Sequence, residues 1–288
     1  MTDQPSPEAR SGLRLWVICA AGLLLGALLT VNVGMVVWQL RSTAADSRQQ
    51  AFWSLCHPGS SPDQRAADFL ALVADGNAVW QSALLTDLSL PGTDLSGARL
   101  ENARFHDCRF QKASFTDAVM TDAGMDLCDL TSADFSRARL RNVMFFKARL
   151  SQADFRNADL LSASLEQCTA DRANFVAAKM GDAFLAMADL TEANFTGADL
   201  TAANLEAAVL TRAELALADF RGAILTDTDL TDSNWWRTRG LTSTQLDELT
   251  LAFPPSPSAP ESRRRDFEIW LTRRIQDRER PTQDEEAP

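Results

Sequence analysis

Histidine and clustered cysteine are what this sequence has least of. It holds two histidines in 288 residues, and its five cysteines, at 19, 56, 108, 128 and 168, form no Cys-x-x-Cys pair. The ligand spacing of a zinc site and the motif of a thiol redox enzyme are therefore both missing. A disulfide scaffold is not expected of a chain this long. Basic residues are also short, with 28 Lys and Arg against 39 Asp and Glu and a net charge of −11. Phosphate recognition needs a clustered positive surface, so direct nucleic-acid binding is not expected. His57 stands beside Cys56 in a Cys-His-Pro-Gly turn, and His106 follows Phe105 with an outward phase. Neither has a second His or Cys at ligand spacing. No catalytic, cofactor-binding or metal residue is read from the sequence, no cofactor is implied, and an enzyme is not expected.

What is present begins with a charge-free run over residues 15–38, interrupted only by Thr30 and Asn32. At helical rise it extends roughly 36 Å, enough to cross a bilayer with some tilt. Trp16 and Trp38 mark its ends at headgroup level, and Arg14 and Arg41 lie just outside. The run is far longer than the apolar core of a cleaved signal peptide, so a retained transmembrane helix over 15–40 is expected after a short polar N-terminus, 1–14. Gly22, Gly26, Thr30 and Gly34 recur every fourth residue, a row of small side chains that would let two spans pair in a homodimer or would simply face lipid. The expected location is a membrane crossed once, the inner membrane in a bacterium. Arg10 and Arg14 on one flank match Arg41 and Arg48 on the other, so charge does not orient the span. Cys108, Cys128 and Cys168, if they survive as thiols, would lean slightly toward the reducing, cytoplasmic side.

Residues 42–90 read as a helical N-terminal cap. Ser61-Pro62-Asp63-Gln64 carries a capping box with Pro at the first helical position, and the helix should stop near Gly76.

The decisive signal is a period of five over 91–236. Every fifth residue from Leu95 to Trp235 is Leu, Phe, Met or Trp, Ala170 alone excepted. Two residues before each stands Ala, or one of Thr93, Cys108, Cys128, Val143, Cys168, Thr228 and Ser233. A helix would spread such anchors around its axis, and a flat strand would send them to alternate faces. A coil that turns a corner every five residues points all of them inward. The sides number four, because Phe115, Phe135, Phe155, Phe175 and Phe195 recur every twenty residues. The expected fold is thus an all-β solenoid of about seven coils, stacked in parallel at about 4.8 Å into a rod roughly 33 Å long.

Units such as Ala153-Asp154-Phe155, Ala188-Asp189-Leu190, Ala193-Asn194-Phe195 and Ala198-Asp199-Leu200 resemble the pentapeptide-repeat family over half the chain. The resemblance implies a right-handed quadrilateral β-helix. Some members mimic DNA and bind type II topoisomerases, protecting bacteria from quinolones or toxins. That gives one functional expectation, and the membrane span argues for another, a membrane-anchored scaffold that binds a protein partner through the rod.

Two surface features bear on the partner. Between residues 85 and 235 stand 23 acids and 14 bases, and Asp94, Asp134, Asp154 and Glu214 share one column; such a surface would suit a basic partner. On the side anchored by Phe105 to Leu225, Met144, Phe146, Phe184, Met187 and Ile224 are expected to face outward, a candidate partner-binding strip unless the terminal helices cover it. Beyond Trp235 the sequence predicts a capping helix within 237–253, a Pro/Ser linker over 254–261, and a basic amphipathic helix over 262–280 with Phe267, Trp270, Leu271 and Ile275 in one stripe. That helix would lie on an anionic membrane, in a partner groove or back on the acidic rod. The acidic tail 281–288 is expected to be disordered.

Overall fold

The structure, a computed structural model, describes residues 49–51, 55, 60–76, 80 and 84–279. The span 15–40 with Gly22, Gly26, Thr30 and Gly34, the Cys56-His57 turn, the N-terminus 1–14 and the tail 281–288 lie outside the described residues. Among the described residues no helix is long and apolar enough to cross a membrane. The chain divides into two compact units, Met1–Trp53 and Ser54–Pro288, and the solenoid with its flanking helices belongs to the second.

Helix α1, Pro62–Asp75, starts as its sequence predicts: the Ser61 hydroxyl accepts from the Gln64 amide at 3.2 Å, and Gly76 ends the helix in the left-handed region at φ 67°. Its buried residues are Phe69 and Leu72. Phe69 packs against Trp80 and Phe105, with ring centroids 5.4 and 5.7 Å away. This closes the apolar end of the first coil, while the Arg65 guanidinium donates to the Thr86 carbonyl at 2.9 Å.

The solenoid opens with three short parallel strands, β1 Leu84–Thr86, β2 Arg104–His106 and β3 Gly124–Asp126, paired in a strict twenty-residue register. Single bridges continue that register to Asp219 and Arg239. The coil therefore begins earlier than residue 91 and within the segment expected to be helical, 42–90. Leu85 and Leu90 already stand on the register of fives, but bulky Leu88, two residues before Leu90, fills the slot that a small residue marks elsewhere, which breaks the pattern and hides the first two anchors in the sequence. At the other end the ladder passes residue 236, because the Phe220 amide donates to the Arg239 carbonyl at 2.8 Å.

Each side of the square repeats one hydrogen-bonding unit. The Phe155 amide donates to Asn174 one coil on, the Asn157 amide to Val176, and the Asn174 amide to Ala153, at 2.7, 3.0 and 2.9 Å. The corner closes when the Ala158 amide donates to the Phe155 carbonyl at 3.0 Å. The amide after the anchor, that of Arg156, turns instead to the Asp154 carboxylate at 3.0 Å, so every backbone donor of this unit has a partner, as burial of the coil requires. The corner needs a left-handed residue two places after each anchor, and every fifth residue from Asp87 to Asp232 has φ between 54° and 69°. Inside, Phe115, Phe135, Phe155, Phe175 and Phe195 stack with centroids 4.7–5.0 Å apart and near-parallel planes. Burying each such ring contributes roughly 1.5–3 kcal/mol.

After a 3-10 turn at Trp235–Arg237 come α2, Ser243–Ala252, and α3, Glu261–Glu279. Helix α2 carries a full capping box between Thr242 and Gln245 but buries no residue. The plug is formed by α3 instead, whose Phe267 lies 4.9 Å from the Trp236 ring and whose Trp270 lies 5.5 Å from Trp235. Ion pairs fasten it, Arg263 with Glu214 at 2.8 Å and Arg237 with Asp266. Of the three destinations expected for the basic helix, the rod's own end is the one it occupies, since its Phe267 and Trp270 are committed to covering Trp235 and Trp236. The linker is tied down too, with the Ser256 amide and hydroxyl both donating to the Asp232 carboxylate.

Candidate interaction surface

The four sides differ outside as well as in. On the first side, anchored from Leu85 to Leu225, the bridges stack Gly124, Met144, Ser164, Phe184, Asn204 and Ile224 in one column. Outward side chains on a strand flank the inward anchor, so Met144 and Phe146 leave the coil on either side of buried Phe145. Phe146, Phe184 and Ile224 are 38%, 46% and 47% exposed, and Met187, at a left-handed corner with φ 57°, is 57% exposed. Met144 is half-buried, its Cε lying over Gly124. The structure thus places all five expected strip residues on one side, and the terminal helices leave four of them open. Leu84 and Leu127 extend the strip and escaped the sequence reading. Their repeat positions match those of Phe184 and Met187, which is the signal that finds them. On the other three sides the exposed large apolar residues are only Val209 and Leu217 among those described.

Polar groups punctuate the strip. Lys147 lies 5.0 Å over the Phe146 ring as a cation on its π-face. Asp126, beside Gly124, has a buried carboxylate oxygen without a hydrogen-bond partner. Burial raises its pKa from the usual carboxylate value, against the lowering effects of the Phe146 amide, His106 and Arg104. His106 is exposed and stacks between Thr86 and Asp126.

Elsewhere the carboxylates are engaged. On the third side, anchored from Leu95 to Trp235, Asp134 and Asp154 accept from the amides two residues on, at 2.8 and 3.0 Å. Arg137 pairs with Asp117, and Arg172 and Arg212 both pair with Glu192, at 2.7–2.8 Å. A continuous run of unpaired negative charge is therefore interrupted on these sides.

The cysteines are core residues. Cys108, Cys128 and Cys168 are buried free thiols in the small inward slot, and the Asp129 amide's bond to the Cys108 carbonyl places 108 and 128 in adjacent coils. Burial pushes the Cys168 thiol up to about 12, and the Cys108 thiol together with burial raises Cys128. A raised thiol is a poor nucleophile. Among the described residues no group of His, Cys, Asp and Glu is placed to hold a metal.

A cleft of about 330 Å³ opens where the first side ends, lined by Ala223, Ile224, Leu225 and Thr226 on the last coil and by Gln245, Glu248 and Leu249 on α2.

Comparison with known proteins agrees with this architecture. The model of the family described as pentapeptide repeats matches in eight copies, over 83–122, 123–160, 161–197, 171–206 and 198–234. No curated protein matches the chain. Among solved structures, trypsin-treated QnrB1, a plasmid-mediated fluoroquinolone resistance protein, is 20% identical over 58% of this chain and 96% of its own, with a TM-score of 0.41. HetL, a pentapeptide repeat protein involved in heterocyst differentiation regulation in the cyanobacterium Nostoc, is 27% identical over 58% of this chain and 95% of its own, with a TM-score of 0.20. A pentapeptide repeat protein of the Arabidopsis thaliana thylakoid lumen is 28% identical over 48% and 84%, with a TM-score of 0.18. With the family's repeats matched across more than half its length, the chain belongs to the pentapeptide-repeat family and folds as a right-handed β-helix.

Proposed function

We propose that this protein is a single-pass membrane scaffold without enzymatic activity, which holds a protein partner on the first side of its rod. One observation carries the reading. Of the eight exposed large apolar residues described on the rod, six lie on a single side, Leu84, Leu127, Phe146, Phe184, Met187 and Ile224, against Val209 and Leu217 elsewhere. Water-exposed apolar strips of this kind favour burial against another surface. The tether rests on the charge-free run at 15–38 and its tryptophan-marked ends. Pairing of two spans through Gly22, Gly26, Thr30 and Gly34 would place two rods on one dimer.

A photo-crosslinking residue at Phe184 or Met187, in intact membranes, tests the partner. The expected result is a discrete crosslinked band that disappears with Phe146→Asp and persists when the crosslinker sits at Leu217 on the third side instead. Equal, diffuse labelling from both sides sinks the proposal.

A further inference from the structure

The first side ends differently from the others. Of the anchors from Leu85 to Trp235, Leu225 alone is not buried. In the interior of this side the Leu205 amide donates to Ile224, the Ala207 amide to Thr226, and the Ile224 amide to Ala203, each at 2.9 Å. One coil later the matching groups, the Leu225 and Asp227 amides and the Ala223 carbonyl, have no partner among the described residues. The chain that would have supplied the next rung has turned into α2, which stands off and leaves the cleft between Leu225 and Leu249. Of the other ends, the fourth side receives Arg239 as its final rung, and the second leaves the Leu230 and Asp232 amides without a backbone partner among the described residues but keeps its last anchor, Leu230, buried. At the far end of the first side the Arg65 guanidinium satisfies the Thr86 carbonyl.

We propose that this open rung is a binding site for an extended peptide from another protein, added as one more parallel strand. The site's own hydrogen-bonding groups fix the occupant's chemistry. One residue of the incoming strand must donate its N–H to Ala223 and offer its carbonyl to the Leu225 amide, and the carbonyl two residues later must meet the Asp227 amide. Backbone pairing of this kind tolerates many sequences, with specificity supplied by alternate side chains. The residue between those two carbonyls points inward and would cover Leu225, so it is apolar and about the size of leucine. Glu206 lies one coil below Thr226, Asp227 follows it, and Glu248 faces it from α2; all three are exposed. The rim therefore favours a peptide with basic flanks, more strongly at low salt. This site stands apart from the strip invoked above, sharing only Ile224 with it.

The test is fluorescence polarisation of a labelled peptide, Lys-Ala-Asn-Leu-Thr-Ala-Lys, titrated with the full chain in detergent. Saturable binding is expected. N-methylation of the asparagine amide removes the donor to Ala223 and should weaken binding at least about tenfold, the effect of losing roughly 1.4 kcal/mol. N-methylation of the leucine amide, which points to the solvent side of the new rung, should leave binding within about twofold, a change well under that same 1.4 kcal/mol. Leu249→Arg, filling the cleft from a half-buried α2 position, should abolish binding with the circular dichroism unchanged. Phe184→Asp and Met187→Asp should not alter it, which separates failure here from failure of the scaffold reading. Absence of saturable binding, or equal sensitivity to the two methylations, overturns the proposal.

Discussion

The first and third sides of the rod use the same residue types for opposite purposes. On the third side phenylalanine is inside, stacked from Phe115 to Phe195, and carboxylates outside lock the corners. On the first side Phe184 and Phe146 are outside, and the Asp126 carboxylate is partly buried with an oxygen left unpaired. Register phase explains the inversion, since a shift of one residue along a five-residue unit moves a side chain from core to solvent. Residue type alone therefore carries little information here, and position within the unit carries nearly all of it. The lesson for function is that a phenylalanine off the anchor phase is not needed for folding and so points to contact.

The sharpest way to break this contrast is to truncate one phenylalanine on each side. Phe155→Ala removes a ring stacked at 5.0 Å on both neighbours and should cost about 3–5 kcal/mol. Phe184→Ala removes a ring that is 46% exposed and should change stability by less than about 0.5 kcal/mol. Chemical denaturation of the two variants measures both. Comparable losses would mean that Phe184 is structural, and the strip would no longer stand out.

Much of this was legible in the sequence, and the exceptions have physical causes. The period of five and the recurrence of Phe every twenty residues specify inward phase and coil size, and Phe135 and Phe155 do stack. Where the coil starts was not legible, because Leu88 occupies a slot marked elsewhere by Ala. The destination of α3 was not legible either: an apolar stripe states that a helix will be covered but not by what, and only the structure brings Phe267 to Trp236. The left-handed corners were hidden most completely, since Lys112, Gln152, Ala177 and Met187 all adopt them and none is a residue that favours φ > 0.

Carboxylates sharpen the comparison next, through opposite responses to pH. For Asp134 burial works upward, but hydrogen bonds from Ser136 and Thr116 and the charge of Arg156 outweigh it and hold the pKa below its usual value. A depressed folded pKa contributes stability above the unfolded value, lost as pH falls through the folded one. Asp134→Ala should therefore destabilise by about 1 kcal/mol at pH 7, through the lost bond to the Ser136 amide, and by less in acid. For Asp126 the sign reverses. Its folded pKa is raised, so its contribution is fully present in acid below the unfolded value and is lost as pH rises through the folded one. Asp126→Asn should then raise the melting temperature at pH 7 and leave it unchanged near pH 3. A loss of stability at pH 7 would show that the unpaired oxygen has a partner after all.

The smallest effect concerns the corners, which both sides share. Ala177 holds φ 54° on the third side, in the same column as Gly197 at φ 67°. An L-residue in the left-handed region costs about 1–2 kcal/mol, and glycine gives back about 0.5–1 kcal/mol in unfolded-chain entropy. The balance favours glycine, so Ala177→Gly should stabilise by about 0.5 kcal/mol, roughly 1–2 °C in melting temperature for a rod of this size. Gly197→Ala should lose a similar amount, because nothing lies within 4 Å of a methyl built there and backbone strain is the only term that changes. If the two substitutions do not have opposite signs, corner strain is not what these positions contribute, and the tolerance of side chains as large as Met187 at the corners of the first side would need another cause.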